Sequence, residues 1–374
     1  FGNFAGFLIA WSYWIGAWAG NAAIITAFMN YFTKFFPQIG TNPFLAFLIS
    51  SLILWLFTAI NIFGVKQAGI IGIVTTVLKI VPLVIFIIIA ALKFNFSNFN
   101  TVAAPELSGI DTLPAAVAIA LWAFVGLESA TVPAGEVKDP AKNIKRSTIY
   151  GTLLTALIYI IISFFAIGAM PQDTLADSAA PLSDIIDYAT NAKWGGTFIA
   201  LGAVISTLGA TSGWILTTAR SAFAAGEDKL FPAFFAKIHP KFKTPYVSLI
   251  ISGIAANILL IMNYVSSLRE AYNFMILLAT LAFLPSYAFA AAAEIVLLVK
   301  HSKNFNIWNF LKNSFVSLLA FAYAIYAIYG TGAEVVMYGF ILILIGIPFY
   351  VYMMLQNNKE DKSVDTLRKN ADFE

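Results

Sequence analysis

The sequence predicts an all-α protein that crosses a membrane many times. Hydrophobic residues make up 60% of its 374 positions and charged residues only 11%, and the mean hydropathy is +0.83. Soluble domains average about 25% charged residues, so this composition cannot cover the surface of a water-soluble fold. The apolar segments lack an alternating ten-residue pattern, which favours membrane-spanning helices over an outer-membrane barrel.

Ten apolar segments are each long enough to cross a bilayer core, which takes about 20 residues of helix. They lie near residues 4–32, 43–63, 67–92, 113–134, 147–169, 195–222, 245–264, 271–298, 311–329 and 333–356. The acidic connector at 171–193 is expected to hold a short surface helix. We therefore expect one transmembrane domain over residues 1–356, followed by a polar, disordered cytoplasmic tail over 357–374.

Basic residues alternate between the connectors in a way that predicts the orientation. Every second connector, and the tail, is basic; together they carry Lys66, Lys138, Lys142, Lys145, Arg146, Lys229, Lys237, Lys241, Lys243, Lys300, Lys303, Lys359, Lys362, Arg368 and Lys369. The connectors between them hold only Lys34, Lys93, Lys193 and Arg269. Since basic loops stay in the cytoplasm, we expect a cytoplasmic C-terminus, and the even number of spans places residue 1 on the same side.

Composition also narrows the function classes. The chain has no cysteine, which excludes disulfides and thiol chemistry, and His239 and His301 both fall in polar connectors. No metal site and no cofactor are therefore expected. An enzyme would need a nucleophile or a cluster of acid and base groups, and we identify no paired carboxylates within the spans. A channel would need a filter of carbonyl or charged rings, and no such pattern is visible.

Three ionisable residues fall within the predicted spans: Lys79, Glu128 and Glu294. Such residues are costly in a bilayer and usually face a bundle interior or a water-filled cavity. Glu128 lies between Gly126 and Pro133, which weaken a helix, and broken helices form substrate sites in secondary transporters. We interpret Glu128 as a functional carboxylate; the alternative is a structural carboxylate bonded to neighbouring helix ends.

Lys79 lies near the middle of its predicted span, roughly 12 residues from either end, which is too far for its amine to reach the interface. A buried amine of this kind can exchange protons near neutrality, or it can act as a fixed cation that holds two helices together. Both interpretations stay open. Glu294 lies close to Lys300 and to the end of its span, so we favour an interfacial structural role for it.

Tryptophans in helix interiors are a further signal, because this residue prefers the membrane interface. Trp11, Trp14 and Trp18 lie in the first span, and core packing explains each of them. Trp122 differs because it precedes Glu128 by six residues. An aromatic ring and a carboxylate on one broken helix could hold a cationic or zwitterionic ligand.

The stretch "LWAFVGLESATVPAGEVKDPAKNIKRSTIYGTLLTALIY" resembles the sixth helix, the next loop and the seventh helix of bacterial amino acid permeases. These belong to the amino acid–polyamine–organocation superfamily, and the chain is most similar to its basic amino acid/polyamine antiporters, which include an arginine/agmatine exchanger. Further matches are "YWIGAWAGNAA", "GWILTTARSAFAAGEDKLFP" and the weaker "FLPSYAF". The resemblance extends over essentially the whole chain.

The resemblance implies a leucine-transporter-type inverted-repeat fold of twelve helices, with the first and sixth unwound at the substrate. On that fold the ten spans correspond to helices 3–12, so we expect an N-terminally truncated version that lacks helices 1 and 2. Phe1, which opens directly on apolar sequence without a charged leader, agrees with an internal start. The family's glycine-rich break in helix 1, which binds the substrate carboxylate, would then precede residue 1.

Six site residues follow from the resemblance. On the sixth helix of the family, Trp122 corresponds to a gating aromatic residue, Val125 to an apolar wall residue, and Glu128 to the glutamate that links substrate binding to proton-dependent gating. Asn21 corresponds to a polar residue that contacts the substrate side chain, and Ile24 to the apolar residue one turn further on. Trp214 corresponds to an aromatic residue that lines the cavity.

Three positions depart from the arginine/agmatine exchanger. Lys79 replaces an apolar residue, and a lysine there is similar to that of arginine/ornithine exchangers and of proton-coupled permeases. Leu278 and Ser286 replace a polar residue and a tyrosine, so the resemblance does not carry over specificity for a guanidinium group. A charged Lys79 also disfavours sodium coupling, because it would repel the cation.

The leading functional hypothesis is a secondary active amino acid transporter of the cell (inner) membrane that works by alternating access. It would exchange cationic amino acids or related amines, or couple them to protons, through Glu128 and Lys79. The alternative is a proton-coupled symporter of broad specificity, and a more remote one is a non-transporting amino acid receptor. The expected partners are an amino acid or amine, protons and the lipid bilayer, with no nucleic acid; a homodimer stays open.

Overall fold

The computed structural model describes residues 1–99, 109–128, 137–301 and 306–371, and within these ranges the chain is helical without strands. The helices are α1 Asn3–Phe32, α2 Gln38–Thr41, α3 Pro43–Phe63, α4 Val65–Leu92, α5 Gly109–Phe124, α6 Pro140–Ala169, α7 Gln172–Ala176, α8 Pro181–Thr190, α9 Lys193–Glu227, α10 Tyr246–Leu259, α11 Met262–Val265, α12 Leu268–His301, α13 Ile307–Gly330 and α14 Ala333–Ala371. This confirms the predicted all-α polytopic class.

Each of the ten predicted spans coincides with a helix. In the described part of the chain, eight helices are long and apolar enough to cross a membrane, and α4 and α5 contribute the shorter apolar stretches Leu78–Leu92 and Ile110–Phe124. The predicted span at 245–264 is divided between α10 and α11, and the acidic connector holds the expected surface helix as α7 and α8.

Two predicted boundaries are wrong. The span expected at 113–134 ends as a helix at Phe124, because the backbone turns at the following residues; Pro133 lies outside the described residues. Residues 357–371, which we expected to be disordered, are helical, because α14 continues to Ala371. Three lysines and one arginine, which are good helix formers, lie in this stretch and continue a helix that the apolar part has already begun.

The first helix, α1, lies at the centre of the bundle and packs most extensively against α12 and α9. Its small residues allow this close approach: a Cβ added to Gly16 would lie 2.9 Å from the ring of Phe283. Its three tryptophans are buried, and two of them donate their indole N–H groups to other helices. The Trp11 indole donates to the Leu342 carbonyl at 3.0 Å, and that of Trp14 donates to the Ser252 hydroxyl at 2.8 Å.

Peripheral helices expose apolar side chains, as lipid contact requires. Leu153, Leu154 and Ile160 project from α6, and Phe315 and Val316 from α13. In a water-soluble protein such patches would mark interaction or aggregation sites. On a bundle of this length and composition they form the surface that faces the acyl chains.

One end of the bundle is closed by a charged cluster. The Lys34 amine, two residues beyond α1, forms ion pairs with Asp184 and Asp187 of α8. Asp187 also accepts the backbone N–H of Gly196, at the start of α9, at 3.0 Å. The cluster therefore ties three segments together at the external side that the sequence predicts.

Candidate functional site

The helix α5 ends at Phe124, four residues before Glu128, and the backbone turns at Gly126. The φ angle of Gly126 is +107°, a conformation that residues with a side chain rarely adopt. A Cβ added there would also lie 2.8 Å from Cζ2 of Trp214 on α9. Both the backbone conformation and the space at this position therefore require glycine. The helix ends before Glu128, as expected for the first half of a broken helix; residues 129–136 lie outside the described residues.

The Glu128 carboxylate joins the broken end of α5 to two other helices. Its Oε2 accepts the backbone N–H of Gly126 at 2.9 Å, which satisfies one of the backbone groups at the break. Its Oε1 accepts the hydroxyl of Tyr13 on α1 at 3.3 Å, and the Tyr287 hydroxyl of α12 also donates to this carboxylate. A change in charge at Glu128 therefore acts on α1, α5 and α12 together.

Trp122 lies on the last turn of α5 and reaches across to the central helix. Its ring rests on Gly20 of α1, where an added Cβ would lie 2.8 Å from Cη2 of the indole. The indole N–H donates to the hydroxyl of Tyr272 on α12. Val125, the next predicted site residue, is partly buried, and its N–H donates to the Trp122 carbonyl at 3.2 Å.

Phe283 of α12 is fully buried and lies between the rings that surround this site. The Tyr13 ring meets it edge-on with centroids 4.9 Å apart, and the Trp214 ring lies 6.0 Å away. Side chains from α1, α9 and α12 thus form one aromatic cluster, and Tyr13 connects it to the Glu128 carboxylate. Of the predicted aromatic residues, Trp214 lies against Gly126, two residues before Glu128, whereas Trp122 contacts α1 at Gly20.

Asn21 lies deep in the bundle, on the next turn of α1 after Trp18. Only 2% of its surface is exposed, and its Nδ2 donates to Oγ1 of Thr218 at 3.0 Å. Its Oδ1 and the indole N–H of Trp18 have no hydrogen-bond partner among the described residues. Because buried polar atoms are nearly always paired, this acceptor and this donor are available to a polar ligand. Ile24, the remaining predicted residue of α1, is half-buried one turn further on.

Lys79 occupies the middle of α4, as predicted, but does not line the cavity that contains Glu128. It lines a separate cavity of about 190 Å³ between α4 and α9, where Ser206 and Thr207 supply hydroxyls. In the part of the chain that the structure describes, the Lys79 amine makes no ion pair with a carboxylate. The two groups expected to exchange protons are therefore served by different cavities.

Five contributors to this site are absent from our sequence-based set: Tyr13, Thr218, Tyr272, Phe283 and Tyr287. Tyr13, Thr218, Phe283 and Tyr287 fall inside stretches that match the permeases, which is the signal that could have identified them. Tyr272 contributes through a contact between helices, which the periodicity of a single helix does not reveal.

Two of the ionisable residues of the spans share a cavity. Glu128 and Glu294 both line a cavity of about 470 Å³, and Glu294 accepts the hydroxyl of Ser317 at 2.6 Å. The two residues lie on different helices, so their separation in sequence conceals the shared cavity. Within the described ranges, no group of three His, Cys, Asp or Glu side chains is placed to hold a metal ion.

Comparison with known proteins agrees with this arrangement. The family model described as amino acid permease matches residues 1–355. An arginine/agmatine antiporter of Chlamydia pneumoniae is 31% identical over 366 residues, which cover 94% of this chain and 74% of the relative. A putative arginine/ornithine antiporter of Bacillus subtilis (strain 168) is 30% identical over 386 residues, which cover 97% and 82%.

A putative amino-acid transporter of Clostridium perfringens (strain 13 / Type A) is 28% identical over 378 residues, which cover 97% of this chain and 78% of the relative. The family model spans nearly the whole chain. The structure agrees with it, because a carboxylate lies at the end of a helix inside a bundle of apolar helices. The chain therefore belongs to the amino acid permease family, whose members are multi-pass membrane transporters of amino acids and not enzymes.

Proposed function

We propose that the protein exchanges cationic amino acids or related amines across the cell membrane by alternating access. The observation that carries this proposal is the break at Gly126, where the Glu128 carboxylate connects α5 to Tyr13 of α1 and Tyr287 of α12. A cation that binds near this carboxylate changes the balance of charge on three helices at once. A transporter needs such a link between its ligand and its helix arrangement.

The chemistry of the site favours a cationic ligand. Glu128 supplies negative charge, and Trp122 and Trp214 supply aromatic faces that attract cations. Asn21 offers a carbonyl oxygen that has no hydrogen-bond partner among the described residues. Arginine, ornithine and agmatine carry amine or guanidinium groups that suit these partners. Two of the relatives are named for antiport of such compounds, which supports the same substrate class.

Proton sensitivity is assigned to Glu128 first. Protonation of its carboxylate removes the charge that attracts the substrate and weakens its role as acceptor for Tyr13 and Gly126. Substrate cation and proton therefore compete for the same group. Lys79 is the second candidate, because an amine in a polar-lined cavity can lose or gain a proton with the state of the transporter.

The test is counterflow in proteoliposomes that contain the full-length protein and a panel of amino acids and amines. We expect labelled arginine to accumulate only when unlabelled arginine, ornithine or agmatine is present inside. Glu128→Gln should remove the pH dependence of this exchange, and Glu334→Gln serves as a control because Glu334 is an exposed carboxylate at the start of α14. Accumulation of neutral amino acids alone would contradict the cationic substrate class.

A second candidate function is proton-coupled symport of a broader set of amino acids. Lys79 favours it, because this amine has a cavity of its own and no carboxylate partner among the described residues. Symport predicts uptake into liposomes that contain no substrate, driven by a proton gradient, and Lys79→Ala should leave only exchange. Equal proton flux in the variant and in the parent protein would reject this role.

Orientation and assembly complete the proposal. The distribution of basic residues supports a cytoplasmic C-terminus, and cysteine substitutions at exposed Lys138 and Phe44 test it, since the chain has no other cysteine. An impermeant thiol reagent applied from outside cells should label position 44 and spare position 138. A homodimer is the remaining proposal, and the mass of the protein in detergent micelles, measured by light scattering, decides it.

A further inference from the structure

The cavity that contains Glu128 extends along α12 towards the end of that helix. Its volume is about 470 Å³, and its walls come from α5, α12 and α13, with one residue of α6. Both Glu128 and Glu294 line this cavity. Glu294 is seven residues from His301, the last residue of α12, so the cavity leads from the break in α5 towards one face of the bundle.

The spacing along α12 gives the distance that this cavity bridges. Tyr287, which hydrogen-bonds to Glu128, and Glu294 are seven residues apart and share one face of the helix. At 1.5 Å of rise per residue, they are separated by about 10 Å along the helix axis. A proton moves directly only across a hydrogen bond of about 2.6–3.2 Å. Transfer between the two carboxylates therefore needs water molecules between them.

The cavity is large enough to hold this water, and hydroxyl groups stand at several points in its mainly apolar wall. A water molecule occupies about 30 Å³ in the liquid, so the cavity has room for several. Thr148 contributes a buried hydroxyl that has no partner among the described residues, and Tyr323 and Ser317 add two more hydroxyls to the walls. Buried hydroxyls without a protein partner are commonly satisfied by water.

We propose that Glu294 is the second proton-binding group of a path that connects Glu128 with the side of the membrane on which α12 ends. This inference rests on the proposed proton-linked transport by the Glu128 site. The O–H bond of protonated Glu128 breaks, a chain of water molecules passes the proton on, and a new O–H bond forms at Glu294. Glu128 is left as a carboxylate, and Glu294 then releases its proton to bulk water.

Titratable side chains face the cavity from three of the segments that form its wall. They are Glu128 just beyond α5, Tyr287 and Glu294 on α12, and Tyr323 on α13. Tyr13 of α1 reaches the same carboxylate as Tyr287, and Lys300 lies six residues beyond Glu294 on α12. No lysine or arginine lines the cavity in the described ranges. The acidic side chains of this wall are therefore Glu128 and Glu294, with no basic side chain beside them among the described residues.

Ser317 positions Glu294 for this role. Its hydroxyl donates to one carboxylate oxygen of Glu294 at 2.6 Å, which holds the carboxylate in one orientation. The other oxygen remains to accept a proton from water in the cavity. Ser317 is thus a positioning residue, whereas Glu294 carries the proton itself.

The experiment uses the full-length protein in proteoliposomes, with a pH-sensitive dye inside and labelled arginine as substrate. We expect Glu294→Gln to slow proton-linked arginine movement by about 100-fold, the contribution of a positioned proton-transfer group. Arginine/arginine exchange at constant pH should change less than about twofold, because Glu128 and the rings remain in place. Glu294→Asp should restore part of the proton flux, and the exposed-carboxylate variant Glu334→Gln should behave as the parent.

A second measurement separates proton binding from a structural role. Infrared difference spectra between acidic and neutral pH should contain the C=O stretch of a protonated carboxyl that Glu294→Gln removes and that Ser317→Ala shifts in frequency. Unchanged spectra and unchanged proton flux in Glu294→Gln, with normal exchange, would overturn the path and leave the transporter assignment intact. A parent protein that exchanges no amino acid or amine would overturn the proposed function and the path together.

Discussion

The indole ring of Trp214 lies against the backbone of Gly126, so that α9 occupies the space that a side chain at the break in α5 would need. A methyl group there meets Cζ2 of the ring at 2.8 Å. Gly126 also has a φ of +107°. The steric contact with Trp214 and the backbone conformation therefore both require glycine at this position.

Gly126→Ala is expected to destabilise the protein and to abolish transport. The left-handed backbone costs a residue with a Cβ about 1–2 kcal/mol, and overpacking against Trp214 adds about 1–3 kcal/mol. Thermal unfolding in detergent measures the loss. Trp214→Phe, combined with Gly126→Ala, should recover only the packing part. Gly213→Ala, an exposed glycine with free space around it, is the control and should be neutral or slightly stabilising.

Gly20→Ala is expected to displace Trp122 without changing the break itself. Its Cβ would lie 2.8 Å from Cη2 of the indole, so the ring must leave its place on α1. We expect a KM for cationic substrate raised by about 10-fold, which corresponds to about 1.4 kcal/mol of lost binding. The smaller ring of Trp122→Phe should partly rescue the variant. Equal kinetics in Gly20→Ala and the parent would show that Trp122 does not touch the substrate.

Asn21→Leu separates a ligand contact from a structural one. The substitution removes the hydrogen bond to Thr218 and also removes the unpaired Oδ1, so the two effects on stability offset each other to within about 1 kcal/mol. Substrate affinity should nevertheless fall, because the acceptor aimed at the ligand is lost. Thr218→Val is the matched comparison: it leaves Oδ1 in place and should disturb stability more than affinity.

The ion-pair cluster at Lys34 predicts a pH dependence of stability. Burial, the largest influence, lowers the pKa of Lys34, but the hydrogen bonds and charges of Asp184 and Asp187 together outweigh it and raise the pKa above its usual value of 10.5. A raised amine pKa stabilises the folded state fully below the unfolded value. That contribution is lost as the pH rises from 10.5 through the higher folded value.

Thermal unfolding from about pH 8 to about pH 11.5, which brackets the ordinary lysine pKa, measures this contribution. The parent protein should lose stability at the alkaline end, and Lys34→Met should show a flatter curve that starts lower. Lys93→Met removes an exposed lysine at the end of α4 and should leave the parent's curve unchanged. A steep alkaline loss in Lys34→Met as well would assign the effect to another group.

Most of the helical architecture can be predicted from the sequence, because a bilayer sets the length of each apolar segment. The failures have local causes. Phe124 ends α5 because Gly126 adopts a left-handed conformation that apolar character does not report. Residues beyond 356 stay helical to Ala371 because a polar composition rich in helix formers does not by itself end a helix.

The candidate site is predicted only where one helix carries the signal. Trp122 and Glu128 are six residues apart, so the sequence alone places them near each other even though α5 ends between them. Tyr287 reaches Glu128, and Glu294 lines the adjoining cavity, through packing between helices, which single-chain periodicity does not determine. The shared cavity of two carboxylates could be found only in three dimensions.

The placement of the two tryptophans has a mechanical consequence. Trp122 extends from α5 onto a glycine of α1, and Trp214 extends from α9 onto the glycine at the end of α5. The Trp214 ring thus blocks the end of α5 on the side of α9, and the Trp122 ring of α5 packs on α1. A movement of this segment towards α9 meets the Trp214 ring, so the segment can move only away from α9. Such a movement also shifts the contact between Trp122 and α1.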